Sequence, residues 1–173
     1  MNISQHYRQL EAQHFGSVIA IATTDFEALY AYKCGKYQQC LCLSTQNVSA
    51  LLSGEDIPSV LIFPEFIQLM DDDIVSLSAL VLIADPVSRV LSDCYKINQL
   101  TLSLYLMTQC QLKLHHSVTS LSQTLHYIDV AQRKLPADLT LDHLTLKFTR
   151  RKVIIYLTSL IYIAVLKVPY VMC

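Results

Sequence analysis

Apolar side chains recur at helical spacing along much of this chain. The longest such stretch, NQLTLSLYLMTQCQLKLHHSVTSLSQTLHYIDVAQRKL from Asn98 to Leu135, predicts two helices with a polar corner between them. Within it Leu100, Leu102, Leu104 and Leu106 alternate as in a strand, while Leu100, Leu104, Met107 and Leu114 fall on one helical stripe. Helix is the better reading, because Leu, Met, Gln and Lys favour it and neither Gly nor Pro interrupts the stretch. A single strand of that length would far exceed the usual run of about five or six residues. Asn98 is placed to cap the first helix. His115, His116 and Ser117 form the corner; Val118, Leu121, Leu125, Ile128 and Ala131 mark the inward face of the second helix, which Pro136 ends.

The same pattern organises the rest of the chain. A helix is expected over Ser4–His14, and the β-branched run Ser17–Thr23, open to strand or helix, is read as helix. Thr24 with Glu27 fits a capping box, so a helix should start there and end at Gly35, which can take the left-handed conformation. Tyr37–Leu52 predicts the next helix, with Gly54 beyond its end. Gly54–Phe63 reads as a loop ending in the extended SVLIF. Pro64 then suits the first turn of a helix over Glu65–Ala84, whose later half is apolar nearly all round and should lie centrally. Asp85-Pro86 stops it, and a short helix Val87–Tyr95 follows. Asp138 or Thr140 can cap a last helix carrying Leu141, Leu144, Leu146 and Phe148.

Three glycines in the whole chain argue against an all-β protein, which would need several positive-φ turns. The fold class predicted is therefore all-α, with stacked antiparallel helical hairpins. A 173-residue chain fits one domain, here 1–152, followed by an apolar tail, 153–173. Only 16% of residues are charged, against roughly 25% in an ordinary soluble domain, which leaves some apolar face for a partner. The net charge of −1 and scattered basic residues disfavour nucleic acid as that partner. MNISQHYRQLEAQH lacks the positive start and apolar run of a secretory leader, so a cytoplasmic location is expected, with Cys34, Cys40, Cys42, Cys94, Cys110 and Cys173 as reduced core thiols.

The segment ALYAYKCGKYQQCLCL, Ala28–Leu43, resembles a tetratricopeptide repeat: a small residue on the first helix, tyrosines near its end, a Lys-x-Gly-x-Tyr corner, and Cys40 three places after Tyr37. Ala28 and Cys40 would let two helices approach closely, with Tyr32 and Tyr37 filling the space beside them. Residues from about Asp25 to Leu157, including FPEFIQLMDDDIVSLSALVLIADP, also look like a helical module of large invertebrate proteins, often C-terminal to a cGAS-like nucleotidyltransferase domain of the male-abnormal type. That resemblance implies tetratricopeptide-like packing and a larger parent protein. The glycine-serine turn and paired carboxylates of the nucleotidyltransferase core are not found in this sequence, so no activity carries over.

Candidate chemistry is sparse. Asp71, Asp72 and Asp73 offer oxygen ligands, but successive helical residues point about 100° apart and do not converge on one ion. His115, His116, Ser117 and Asp129 lack a nucleophile on a strained turn, and Cys40-x-Cys42 with His126 or His143 lacks the paired spacing of a zinc site. Hence no catalytic, cofactor or metal residue is assigned. The expected function is a non-catalytic protein-interaction or scaffold module, with Tyr30, Tyr32 and Gln39 as the partner-binding residues. Two alternatives remain open: a tail-anchored protein held through Val153–Cys173, where Arg150, Arg151 and Lys152 precede a charge-free run to Leu166, and a fragment of a cGAS-like nucleotidyltransferase protein without its catalytic core. Against the anchor, a span needs about 20 apolar residues, and Lys167 and Pro169 interrupt this one.

Overall fold

The computed structural model describes residues 23–53, 59–60, 72–84 and 97–166. These are predominantly helical. In chain order they form α1 (23–33), α2 (Tyr37–Ser53), β1 (Ser59–Val60), α3 (Asp72–Ala84), β2 (Ile97–Asn98), α4 (Gln99–Lys113), α5 (Val118–Lys134) and α6 (Thr140–Leu166). β1 and β2 make a two-residue antiparallel bridge, Ser59 opposite Asn98 and Val60 opposite Ile97.

α4 is the central element. Every residue from Gln99 to Gln111 is buried, so the helix meets solvent only in its last turn. Its alternating leucines explain how. Residues two apart on a helix point about 200° apart, so Leu100 and Leu104 face one way and Leu102 and Leu106 the other. The first pair packs with Met107 against Val48, Leu51, Ile128, Ala131 and Leu146. The second packs with Tyr105 and Cys110 against Ala28, Leu29, Cys40, Ile74 and Leu141. One helix therefore serves two cores.

Some polar groups on and around α4 are hydrogen-bonded, whereas the Gln99 amide and the Thr101 hydroxyl are buried without a partner among the described residues. Asn98 caps the helix, its side chain accepting from the Leu100 N–H at 2.8 Å. The Thr108 hydroxyl donates back to the Leu104 carbonyl at 2.7 Å. On α6, Thr145 and Thr149 do the same to Leu141 and Thr145, at 2.8 and 2.7 Å.

Two corners turn the chain in the same way. At the end of α1, Lys36 N–H donates to Ala31 and Gly35 N–H to Tyr32, at 2.9 and 3.0 Å, with Gly35 at φ +72°. After α4, His116 N–H donates to Gln111 and His115 N–H to Leu112, at 3.0 and 3.4 Å, with His115 at φ +52°. Both are Schellman caps, in which a left-handed residue lets two orphan carbonyls be satisfied. Ser117 caps α5 through the Ser120 N–H at 3.3 Å.

Several sequence expectations are corrected. Thr23 is already helical, so Thr24 lies inside α1 and is not its cap. The later half of α3 is not central: Ile74 and Val81 are buried, but Leu80 and Ile83 are 57% and 68% exposed, because α4 occupies the middle. Val118 is exposed and Leu125 half-buried, which narrows the inward face of α5 to Leu121, Thr124, Ile128 and Ala131. Thr140 is the first residue of α6 and Asp138 precedes the cap position, so neither side chain caps it. Cys40 and Cys110 are buried free thiols as expected, whereas Cys34 and Cys42 are exposed, on the outer sides of α1 and α2. α6 runs unbroken through residues 152 and 153, where the sequence reading divides body from tail. The expected helices Ser4–His14 and Val87–Tyr95, the run Ser17–Thr23 up to Ala22, the residues 61–71, and Cys94 and Cys173 lie outside the described residues.

Candidate functional site

Of the residues that the sequence analysis expects to meet a partner, those on α1 differ in exposure. Tyr30 is 54% exposed, and Phe26, one turn before it, is 41% exposed. Residues four apart share a helix face, so the two rings form one aromatic strip. Ala28, Leu29 and Ala31 are buried on the opposite side and fix the helix to α4. Neighbouring Cys34, one turn further on, holds the Tyr30 hydroxyl above its ordinary pKa range.

Tyr32 sits apart from Tyr30, because two residues along a helix turn it by about 200°. It is half-buried and packs edge-on against Tyr37, ring centroids 5.7 Å apart and planes at 61°. Gln39 is exposed on α2, beside buried Cys40. Thus Tyr30 and Gln39 are accessible, and Tyr32 belongs chiefly to the packing between the two helices. Phe26 is not among the residues that the sequence analysis expects to meet a partner. Its spacing of four from Tyr30 was the available signal that it shares the outer face.

Behind this face lies a buried acid. Asp25 is 3% exposed; its Oδ1 accepts from Asn47 Nδ2 on α2 at 2.8 Å and from the Ser103 hydroxyl on α4 at 2.6 Å. One carboxyl therefore ties three helices. Burial pushes its pKa up to about 7, against the lowering effect of the Ser103 and Asn47 hydrogen bonds. Asp142 at the start of α6 is also buried, accepts from the Asn98 N–H at 2.8 Å, and is raised by burial against the lowering effect of that hydrogen bond.

The polar groups that drew attention in the sequence do not converge. Asp73 pairs with Lys152 of α6 and accepts from the Tyr105 hydroxyl at 3.2 Å, while Lys152 lies 4.8 Å from the centre of the Phe148 ring. That arrangement fastens α3 to α4 and α6. Asp72 is exposed, and Asp71 lies outside the described residues. His115 instead meets the Tyr156 hydroxyl through Nδ1 at 3.0 Å, and Asp129 pairs with Arg150 at 3.2 Å. Among the described residues no three His, Cys, Asp or Glu side chains are grouped so as to hold a metal ion. Cys40 and Cys110 face each other between α2 and α4, and the Cys110 thiol is pushed up by that neighbour and by burial.

At its far end α6 carries a different surface. Ile155, Ile161, Tyr162, Ile163, Val165 and Leu166 are exposed, in a run without charge. No helix among the described residues is long and apolar enough to cross a membrane. No family model, curated protein or solved structure matches the chain.

Proposed function

We propose that the chain is a non-catalytic interaction module of the scaffold kind, built from irregular tetratricopeptide-like hairpins and acting within a larger protein. Support for the repeat character comes from the two corners, which share the same pair of backbone hydrogen bonds. The observation that carries the function is the strip of Phe26 and Tyr30, exposed on a helix whose other side is locked into the core. Aromatic side chains with few rotamers, held on a rigid element, lose little entropy on being covered and give large contact area. Burying each would contribute about 1.5–3 kcal/mol.

The partner is a peptide segment with apolar anchors, and Gln39 supplies a polar edge for orientation. The test is selection of peptides from a displayed library against the full chain. Selected peptides should lose at least about tenfold in affinity on Tyr30→Ala or Phe26→Ala, with no change on Gln46→Ala elsewhere on α2. If no peptide is enriched, or if binding ignores both aromatic substitutions, the assignment is wrong.

A further inference from the structure

α6 leaves the body of the protein at the end where both corners lie. Tyr156 is level with the α4–α5 corner, its hydroxyl 3.0 Å from His115 Nδ1. From there to Leu166 the helix rises about 15 Å more, at about 1.5 Å per residue. Every residue from Ile161 to Leu166 is exposed, so no face of the tip rests on the protein. A helix that is apolar on all sides belongs in an apolar medium. Its two aliphatic hydroxyl residues fit such a medium: Thr158 and Ser159 each donate to the Ile155 carbonyl at 2.8 Å and need no water.

Charge around the base of the tip identifies the medium. α2 runs antiparallel to α4, since Cys40 meets Cys110 while the Leu52 carbonyl, at the other end of α2, accepts from Lys134 at the end of α5. The α1–α2 corner therefore lies at the same end as the α4–α5 corner. Lys33, Lys36, Lys113 and His115 are exposed there, and no Asp or Glu occurs in 33–40, 111–120 or 153–166. Among the described residues, the two corners beside the apolar tip thus carry basic charge alone, the nearest exposed acid being Asp72 at the start of α3. That pairing complements an anionic lipid surface, where basic residues are attracted to headgroups and tyrosines such as Tyr156 and Tyr162 sit at the interface. Charge returns in the sequence at Lys167, which suits a tilted, shallow insertion into the headgroup and upper acyl layer rather than a span.

We propose that the α6 tip, residues 155–166, is a one-leaflet anchor for an anionic lipid surface, with Lys33, Lys36 and Lys113 setting its orientation. This surface is separate from the Phe26–Tyr30 strip and stands without it.

The test floats the full chain with vesicles of phosphatidylcholine alone or with about one-third phosphatidylserine. Flotation should require phosphatidylserine and weaken with added salt. It should fall at least about tenfold in the pair Ile161→Asp with Ile163→Asp, and likewise in the triple Lys33→Glu, Lys36→Glu, Lys113→Glu. The substituted side chains are all exposed, so the thermal melt should be unchanged and a loss of flotation cannot be a loss of fold. The chain has no Trp, so Tyr162→Trp gives a single emission that should shift to the blue on phosphatidylserine vesicles. Absence of flotation, equal flotation on both vesicle types, or flotation untouched by the isoleucine pair would each overturn the proposal. So would a dimer in lipid-free buffer that the isoleucine pair converts to monomer, since the tip's occupant would then be a second copy of this chain.

Discussion

The helical hairpin 23–53 and the hairpin 99–134 turn by matching backbone hydrogen bonds, yet their seams are closed by different chemistry. In the first, a carboxyl does the joining: Asp25 accepts from Asn47 across the hairpin and from Ser103 beyond it. In the second, neutral groups do it: Gln111 Oε1 accepts from the Thr124 hydroxyl at 2.8 Å, and Gln111 Nε2 donates to Ser120 at 3.2 Å. A buried amide bonds equally well at any pH, whereas a buried carboxyl bonds at a cost once it must carry charge. The two halves of one core should therefore answer pH differently.

The largest effect expected is that pH response. Asp25 has an ordinary pKa of 3.8 and a folded value of about 7, so between these values the folded chain keeps a proton that the unfolded chain has lost. Its contribution to stability is complete below pH 3.8 and is lost as pH rises through 7. The slope is about −1.4 kcal/mol per pH unit, on the order of 4 kcal/mol in all. Asp142, also raised, acts in the same direction. Urea denaturation across this range should show the decline in the wild type, and Asp25→Asn, which keeps an acceptor for Asn47 and Ser103, should flatten most of it.

On the other hairpin, Thr124→Val leaves the buried Gln111 acceptor without that donor and should cost about 1–3 kcal/mol. The loss should be the same at acid and neutral pH, and a pH-dependent loss would erase the contrast between the seams. The corners give smaller effects. Gly35→Ala meets no atom within 4 Å, so its cost is the left-handed backbone alone, roughly 1–2 kcal/mol. His115→Gly relieves that strain but gives up the contact with Tyr156, and denaturant midpoints should place it within about 1 kcal/mol of the wild type.

Much of the helical plan was legible. Gly35, Asn98 and Ser117 marked boundaries that the backbone uses, because left-handed glycines and capping side chains act locally. The strand-like alternation at Leu100–Leu106 was resolved toward helix correctly, but its meaning was hidden. Alternation together with a spacing of four describes two opposed stripes on a helix covered on both sides. The burial of Ser103, Thr108 and Gln111 was equally hidden, since a hydroxyl bonded to its own helix or to a neighbouring one, or an amide bonded to the next one, looks in sequence like a solvent-facing residue. The later half of α3, with Ile83 and Leu80, was expected to lie centrally because it carries continuous apolar residues. Position in the bundle was set by neighbours on several sides, which composition of one segment does not report. Of Tyr30, Tyr32 and Gln39, expected to meet a partner, Tyr30 and Gln39 are exposed and Tyr32 is half-buried; Phe26 was not singled out, and nothing in the sequence marked Asp25 as buried.

Amide hydrogen exchange on the full chain in lipid-free buffer tests the central placement of α4 most directly. The account predicts that amides within Gln99–Gln111 exchange slowest, opening only with global unfolding, while those of α6 beyond Tyr156 exchange rapidly. Rapid exchange throughout α4, with the slowest amides in α3 or in the α6 tip, would contradict it.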